Sequence, residues 1–381
     1  MLTRRFFLAA GGAGFTAMAL PRIAVAKANT DRRFIFIIQR GAADGLSILG
    51  PTGDPLHASL RGAFDQDLSS GTRLDSFFTL HSALAGMGKL YAEKQALFVH
   101  AVASPYRDRS HFDGQNVLES GGSAAYRLRD GWLNRLLGLL PSSEAKALAL
   151  SDTVPMALRG SHEVSSYAPS KLPDPSDDLL QRVSAMYEPD SQLHELWNAA
   201  LATRATAGDI NAAGQNGAAT GAVAAKLLSG AEGARIAMIE TSGWDTHSGQ
   251  RGRLAAQLRN LDGIAGSLKA GLGADWARTL VIVATEFGRT VRPNGTGGTD
   301  HGEASLAMLL GGAVAGGKVI ADWPGLSTAA LYEGRDLKPT TGLDALIGAA
   351  LSQHYGLEPS RALATLFPES RGSSVSATLI A

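Results

Sequence analysis

The sequence predicts an α/β fold, a doubly wound and mostly parallel sheet sandwiched by helices. Three short, largely apolar runs without polar alternation carry this prediction: residues 33–38, 96–102 and 280–283. Such a run is typical of a strand that is buried on both faces, as in a parallel sheet covered by helices. With 381 residues, the chain is long enough for one large α/β domain. We expect a single domain over residues 27–381.

The remaining elements follow from apolar spacing along the chain. Apolar residues that recur every three to four positions predict amphipathic helices, whereas short apolar runs bounded by turn residues predict strands. Helices are expected at residues 130–136, 179–203, 250–272 and 344–354, and further apolar strand-like runs at residues 147–150, 235–240 and 305–310.

Composition excludes several classes of function. The chain has 35 basic and 35 acidic residues and no long run of either charge, which argues against nucleic acid as the main partner. It has no cysteine, so disulfides, zinc–thiolate sites, iron–sulfur clusters and cysteine nucleophiles are excluded. An exported protein of this composition must be held together by its core.

The N-terminus has the features of an export signal over residues 1–26. Arg4 and Arg5 precede a mildly apolar, Gly/Ala-rich run, and residues 24–26 offer a small-residue cleavage site. Paired arginines before such a run are typical of a twin-arginine signal; an ordinary secretory signal or an uncleaved anchor is the alternative. No other apolar stretch reaches the ~18 residues that span a bilayer. We expect a periplasmic or secreted protein, without a membrane contact after leader cleavage.

The middle of the chain differs in character from the rest. Residues 155–232 include a Ser/Pro-rich stretch at 161–176 and an Ala/Gly/Asn-rich, low-complexity stretch at 205–225. We interpret this region as an insertion or cap between the two halves of the sheet.

Acidic and histidine residues follow several of the predicted strands. In open α/β sheets the ligand crevice lies beyond the carboxyl ends of the strands, so these side chains are expected to share one site. A single acid in such a place is usually a helix cap or turn residue, but a set of them favours a metal site. The candidate ligands are Asp44, Asp245, His247, Glu286, Asp300 and His301.

Spacing within these segments refines the expected ligands. Asp245 and His247 are two residues apart, so both side chains point to one side of an extended segment. Asp300 and His301 diverge, and His301 is the better ligand, with Asp300 orienting it or serving a neighbour. Mixed oxygen and nitrogen ligands suit zinc or manganese, and a larger share of oxygen suits calcium or magnesium. One or two ions are expected.

The polar loop before residue 112 offers candidate catalytic groups. Ser110 is expected at a helix N-terminus, where the free amides and the helix dipole favour an anion, and it is a candidate nucleophile. Arg107 and Arg109 are candidates for binding phosphate or sulfate oxygens. His111 is an alternative ligand or a general acid. A capping serine with solvated arginines is an equally good interpretation of this loop.

Long motifs give the chain a family resemblance. In order they are RGAADGLS, SPYRDRSHFDGQN, GWLNRLL, GWDTHSGQ, EFGRTVRPNGTGGTDHGEAS, DWPGL and GRDLKPTTG. The chain closely resembles the bacterial family catalogued as domain of unknown function 1501, which is grouped with the alkaline phosphatase-like superfamily. The resemblance implies an alkaline phosphatase-like sandwich with two metals at the C-terminal strand edge.

The resemblance also implies roles for individual residues. The metal-binding Asp after the first strand matches Asp44, and the nucleophile at a helix N-terminus matches Ser110. The later Asp and His pair resembles Asp245 and His247, and a further late His resembles His301. Glu286 is followed by Phe287 where the superfamily usually has Asp-His. Phenylalanine cannot bind a metal, so the second metal site would lack its usual histidine.

Together these observations favour an exported, metal-dependent hydrolase of a phosphate or sulfate ester, either a small molecule or polymer-borne. The rival hypothesis is a non-catalytic binding or assembly protein on a degenerate hydrolase scaffold. Members of the resembled family are often encoded beside another exported family, which suggests a protein partner. A purely structural metal, calcium first, is the third hypothesis.

Overall fold

The computed structural model describes residues 31–141, 146–168, 177–207, 216–371 and 375–381. The predicted leader, residues 1–26, lies outside the described residues. Within the described ranges, no helix is long and apolar enough to cross a membrane.

Twelve strands and twelve helices are defined in the described part of the chain. The strands are β1 (Arg33–Gln39), β2 (Leu49–Gly50), β3 (Thr72–Arg73), β4 (Thr79–Leu80), β5 (Ala96–Ala103), β6 (Ala147–Leu150), β7 (Ser165–Ser166), β8 (Ile236–Thr241), β9 (Thr279–Ala284), β10 (Ser305–Leu310), β11 (Lys318–Ile320) and β12 (Thr341–Gly342). The helices are α1 (Gly45–Ile48), α2 (His57–Arg61), α3 (Gln66–Ser69), α4 (Ala85–Ala92), α5 (His111–Ser120), α6 (Trp132–Leu137), α7 (Asp177–Tyr187), α8 (Ser191–Ala207), α9 (Gly217–Leu228), α10 (Gln250–Leu272), α11 (Leu343–Tyr355) and α12 (Pro359–Leu366).

The main sheet has the order β11-β5-β10-β9-β1-β8-β6-β7, with β12 paired to the end of β5. Neighbours within β9-β1-β8-β6-β7 are parallel, and so are β11 and β12 to β5. Among the described strands of this sheet, β10 alone runs antiparallel, against both β5 and β9. The predicted mostly parallel sheet is confirmed. A small antiparallel sheet, β2-β4-β3, lies apart from it.

Both faces of the main sheet are covered, as the unbroken apolar runs predicted. In β1, Phe34 and Phe36 point into one core with Trp132 of α6, whereas Ile35 and Ile37 point into the other. Alternate residues of a strand face opposite sides, so a strand between two helical layers needs apolar residues at every position.

Several predicted elements have the boundaries that the structure shows. One predicted long helix is instead divided in two. The helix predicted at 250–272 is α10. The stretch predicted as one helix at 179–203 is two helices, α7 and α8. Pro189 lies between them and lacks the N–H that a continuous helix needs, and the Asp190 carboxylate accepts from the backbone N–H groups of Gln192 and Leu193 to begin α8.

Helix α9, which lies within the stretch interpreted as an insertion or cap, packs closely on α10. A Cβ added to Gly217 would lie 1.9 Å from the Asn260 carbonyl oxygen, so the two backbones meet without side chains between them. Ala224 and Leu228 of α9 are buried in the same core as Ile35. The assignment of residues 155–232 as an insertion stays a prediction.

The parallel strands bring four loops to one edge of the sheet. The loops after β1, β5, β8 and β9 all leave from carboxyl ends. Because β10 is antiparallel, the segment that leads into its first residue, Ser305, arrives at this same edge. The polar segments that follow these strands therefore meet there.

Candidate functional site

Three of the polar residues at this edge come close enough to share one ion. Ligand atoms of His111, Asp245 and His301 all lie within 4.8 Å of one another. His111 is the first residue of α5, Asp245 follows β8, and His301 precedes β10. Asp245 and His301 belong to the set of candidate ligands named from the sequence, and His111 is the alternative ligand named there.

Three imidazoles surround one carboxylate oxygen. Asp245 Oδ1 lies 3.1 Å from His247 Nε2, 3.3 Å from His301 Nε2 and 3.5 Å from His111 Nε2. The Nε2 atoms of His247 and His301 are themselves 3.0 Å apart. Two nitrogen lone pairs at this distance repel each other unless a proton or a metal ion lies between them.

Each imidazole is oriented through its other nitrogen. The Nδ1 atom of His111 lies 2.8 Å from Glu286 Oε1, and that of His247 lies 3.1 Å from Asp300 Oδ1. The Nδ1 atom of His301 lies 2.9 Å from the backbone oxygen of Arg109. All three oxygens accept hydrogen bonds, so each Nδ1 carries a proton, and in the neutral ring Nε2 then keeps its lone pair. Metal-binding histidines in proteins are held in this way.

Glu286 is fully buried behind His111. Its carboxylate accepts from the Gly41 N–H at 2.8 Å and from Gln115 Nε2 at 3.0 Å, besides its contact with His111. Burial alone would raise the pKa of Glu286, but the hydrogen bonds from His111 and Gln115 hold it below its usual value. Glu286 therefore stays ionised and, in this structure, contacts the candidate ligand His111 rather than the centre of the cluster.

Arg289 fixes the floor of the site and was missed by the sequence reasoning. It is buried, and its guanidinium donates to the carbonyl oxygens of Gly41, Ala42 and Thr299 at 2.6, 2.7 and 3.0 Å. It also donates to Asp245 Oδ1 at 2.5 Å. Burial would raise the pKa of Asp245, but the Arg289 hydrogen bond and charge lower it to about 2.

Asp44 lies in a different set of contacts. It is 1% exposed and forms an ion pair with the buried Arg61, while Ser47 and Gln250 also donate to its Oδ2. Burial would raise the pKa of Asp44, but Arg61 keeps it below its usual value. The group that brings His111, Asp245 and His301 together does not include Asp44, and its metal role stays a prediction.

The loop before α5 places the candidate catalytic groups next to His111. Ser110 directly precedes the helix, as predicted, and its backbone N–H donates to Tyr106 Oη at 3.2 Å. Arg109 has a left-handed φ of 57°, the backbone geometry that directs its carbonyl group to His301. A strained residue of this kind is often found at a functional site.

The side chains of Arg107 and Arg109 are engaged by carboxylates. Arg109 lies 2.7 Å from Glu333, 2.8 Å from Asp336 and 3.1 Å from Glu303, and Arg107 lies 3.4 Å from Glu303. Their predicted role in binding an anion stays a prediction, and in this structure their charge is matched by the protein's own acids.

Phe287 forms a wall of the site. Its ring stacks on His111, with centroids 5.1 Å apart and planes 21° apart, and it lies 5.2 Å from the ring of His301. It offers no ligand atom at the position where the resembled superfamily usually has a histidine. It does restrict the orientations of the two imidazoles that it contacts.

The site has a buried floor and an open rim. The side chains of Glu286 and Arg289 are 0% exposed, whereas those of His247, Asp245 and Asp300 are 44%, 45% and 56% exposed. An ion held here would be reached from solvent without movement of the floor.

Most of the residues missed by sequence reasoning are polar residues that are buried through distant contacts. Arg289 lies three residues after Glu286 and Gln250 opens α10, both inside motifs that carried the family resemblance. Apart from the contact of Gln250 with Thr246, their side-chain partners lie ten or more residues away, so no local pattern marks them. Arg61 is likewise buried with distant partners, and the half-buried Gln115 contacts the distant Glu286.

The comparisons with known proteins agree with the motif-based resemblance. Residues 94–367 match the model of the family described as protein of unknown function (DUF1501). The match spans more than half of the chain, and the chain belongs to this family. A search of curated proteins found no match.

Several solved structures are similar at low identity. The C-terminal periplasmic domain of EcEptC from Escherichia coli, in complex with Zn, shares 9% identity at a TM-score of 0.39, over 93% of this chain and 94% of that one. Ps i-CgsB in complex with k-i-k-neocarrahexaose shares 12% at 0.41, over 86% and 72%. The phosphonate monoester hydrolase of Agrobacterium radiobacter shares 10% at 0.37, over 86% and 74%.

Proposed function

We propose that the protein is an exported, metal-dependent hydrolase that acts on a phosphate or sulfate ester. The observation that carries this proposal is the convergence of three Nδ1-anchored imidazoles on Asp245 Oδ1. Such an arrangement leaves lone pairs of nitrogen and oxygen directed at one point.

The residues present fit a metal ion. His111 Nε2 is buried and has no hydrogen-bond partner, although an imidazole nitrogen in such a position normally has one. Imidazole nitrogens with one carboxylate oxygen are ligands that suit zinc, and manganese is the second choice. His111, Asp245 and His301 would hold the ion, with His247 beside them, and this set supports one ion.

Several features of the chain support hydrolysis. Glu286 holds His111 in the tautomer whose Nε2 is free, and Arg289 keeps Asp245 ionised. A bound zinc ion would supply Lewis acidity to the ester oxygen and lower the pKa of water. The open rim admits a small ester or one carried on a polymer. The first amides of α5, which follow Ser110, lie beside this centre and favour an anion.

A non-catalytic function on the same scaffold is the second candidate. Asp44 is neutralised by Arg61, and Phe287 brings no ligand atom, so a two-metal clamp would lack part of its expected ligand set. In that case the open rim would bind an exported partner protein rather than turn over an ester. The export route, by the twin-arginine leader, is part of both proposals.

Metal content and turnover separate these candidates. The mature protein, purified after native export, is analysed by plasma mass spectrometry and assayed on aryl phosphate mono- and diesters, phosphonates and sulfates. We expect about one equivalent of zinc or manganese and turnover of one ester class, both lost in Asp245→Asn. Asp108→Asn, which changes an exposed carboxylate outside the group, is the matched control and should keep both.

Two results would overturn the hydrolase proposal. A folded protein without metal contradicts the site itself. Metal binding without turnover across the ester panel, together with a stoichiometric partner in a pulldown from the periplasm, supports the binding function instead.

A further inference from the structure

Gln250 connects the two segments that carry the candidate ligands. It is fully buried at the start of α10. Its Oε1 accepts from Thr246 Oγ1 at 3.0 Å and from Thr299 Oγ1 at 2.7 Å. Thr246 lies between Asp245 and His247, and Thr299 directly precedes the Asp300-His301 pair. One amide oxygen therefore holds both ligand segments.

The same side chain is anchored on its other side. Gln250 Nε2 donates to Asp44 Oδ2 and lies 3.3 Å from Ser47 Oγ. The amide of a glutamine has two donor hydrogens and an oxygen with two lone pairs, and here both atoms are used fully. A glutamate could not donate to Asp44 and would place a second buried carboxylate against it.

The two ligand segments are also in direct contact. The Thr299 N–H donates to the Thr246 carbonyl oxygen at 3.2 Å. A Cβ added to Gly298 would lie 2.2 Å from the carbonyl carbon of His247, so only glycine allows this approach. Buried hydrogen bonds in tight packing have few alternative geometries, and a change at Gln250 is transmitted to both segments.

We propose that Gln250 is a positioning residue, which sets the distance between the Asp245-His247 and Asp300-His301 segments so that their ligand atoms converge. This inference rests on the proposed function, since it assigns Gln250 a role in metal affinity. Outer contacts of this kind commonly change metal affinity by about 10–100-fold when they are removed.

The test measures metal affinity apart from activity. Zinc dissociation constants are determined by chelator competition for wild type, Gln250→Met, Thr246→Val, Thr299→Val and the double threonine variant. Methionine matches the length of glutamine, and valine matches the shape of threonine, but neither makes these hydrogen bonds. Absorption spectra of the cobalt-substituted proteins and melting temperatures of the metal-free proteins are recorded beside them.

We expect Gln250→Met to raise the zinc dissociation constant by about 10–100-fold and to alter the cobalt spectrum. Each valine variant should raise the constant by less. In the double threonine variant, adding Gln250→Met should produce little further change. Ser47→Ala is the control, because it removes a contact on the Asp44 side while both threonine contacts remain, and it should keep the wild-type constant and spectrum.

The outcomes distinguish this inference from the proposed function. If wild type binds zinc and Gln250→Met lowers only the melting temperature, with unchanged zinc constant and cobalt spectrum, Gln250 is merely structural and the inference is wrong. If Gln250→Met fails to fold, the zinc constant and cobalt spectrum of the double threonine variant decide between the two roles in the same way. If wild type binds neither metal, the proposed function fails and this inference fails with it.

Discussion

Asp44 and Asp245 occupy equivalent places at the ends of neighbouring parallel strands, and each lies against a buried arginine. Asp44 follows β1 and pairs with Arg61, while Asp245 follows β8 and contacts Arg289. Their surroundings differ in two respects. Asp44 is 1% exposed and receives donors only, whereas Asp245 is 45% exposed and faces three imidazole nitrogens.

The comparison shows that carboxylates in the same position at a strand end can have very different surroundings. The groups around Asp44 bring hydrogens to its oxygens, so its negative charge is used within the protein. Asp245 also accepts from Arg289, but the three imidazoles beside it can each direct an Nε2 lone pair to the same point. Lone pairs gathered around an oxygen are stabilised by a cation. Exposure then decides whether a substrate could reach that cation.

The largest expected difference between the two residues is in stability. Asp44→Asn leaves the Arg61 guanidinium buried without a counter-charge, and breaking a buried pair from one side costs about 3–5 kcal/mol. Asp245→Asn also takes the counter-charge from the buried Arg289, but Asp245 is half exposed and Arg289 keeps its hydrogen bonds to backbone oxygens. We therefore expect a smaller change, about 1 kcal/mol, in the metal-free protein. Urea unfolding of both metal-free variants measures this difference.

The order of the two variants is expected to reverse when metal content, rather than stability, is measured. Asp245→Asn should lose the metal, while any Asp44→Asn protein that folds should retain it. Retention of metal by Asp245→Asn together with its loss in Asp44→Asn would reverse the assignment, and Asp44 would then be a ligand as the sequence predicted.

A smaller effect is expected at the residues that orient the imidazoles. Glu286→Gln keeps the size of the side chain but removes the charge that holds His111, and we expect a zinc affinity about 10–100-fold lower. Asp300→Asn changes the corresponding partner of His247. Because Asp300 is 56% exposed, this variant should have a smaller effect. Calorimetric titration with zinc compares the two variants, and an equal or larger loss for Asp300→Asn would contradict this order.

The smallest effect concerns the pH dependence of stability. The pKa of Asp44 is lowered below its usual 3.8 by Arg61 against the effect of burial, so the folded state binds fewer protons here than the unfolded state. Its contribution is therefore complete above pH 3.8 and is lost as the pH falls below it, by at most about 1.4 kcal/mol per pH unit.

Acid titration sharpens the comparison because Asp245 is screened by solvent. Below pH 3.8 the free energy of unfolding should decline most steeply for the metal-free wild type and slightly less steeply for Asp245→Asn, because the lowered pKa of the half-exposed Asp245 contributes only a screened share. The decline should be shallowest for Asp44→Asn. Denaturant unfolding at a series of pH values checks this. Parallel curves for wild type and Asp44→Asn would show that the Asp44–Arg61 pair contributes nothing.

The main sheet could be predicted from sequence patterns, because local composition determines which strands are buried. The runs that became β1, β5 and β9 are apolar at successive positions, and this is what a strand between two helical layers requires. The pairing of Asp245 with His247 was also accessible, since residues two apart in an extended segment share a side. Their ligand atoms lie 3.1 Å apart.

The parts that could not be predicted depend on contacts between distant segments. The ion pair of Asp44 with Arg61 could not be foreseen, because Arg61 reaches Asp44 from the short helix α2 and nothing near Asp44 in sequence marks it. The metal role expected for Asp44 from its place after β1 stays a prediction. Arg289 and Gln250 acquire their roles only when four loops meet at one sheet edge. The reversed direction of β10 likewise has no signal in its apolar run.

That reversed strand gives the site a modular character. Because β10 lies antiparallel beside β9, the residues between them, 285–304, form a hairpin-like excursion that starts and finishes on adjacent strands. This one excursion carries Glu286, Arg289 and the Asp300-His301 pair, and its glycine-rich tip, residues 294–298, is tied to His247, whose backbone oxygen accepts from Asn294 and Thr296. Replacing the excursion as a unit, rather than its tip alone, would therefore change one side of the site while the order of the sheet stays constant.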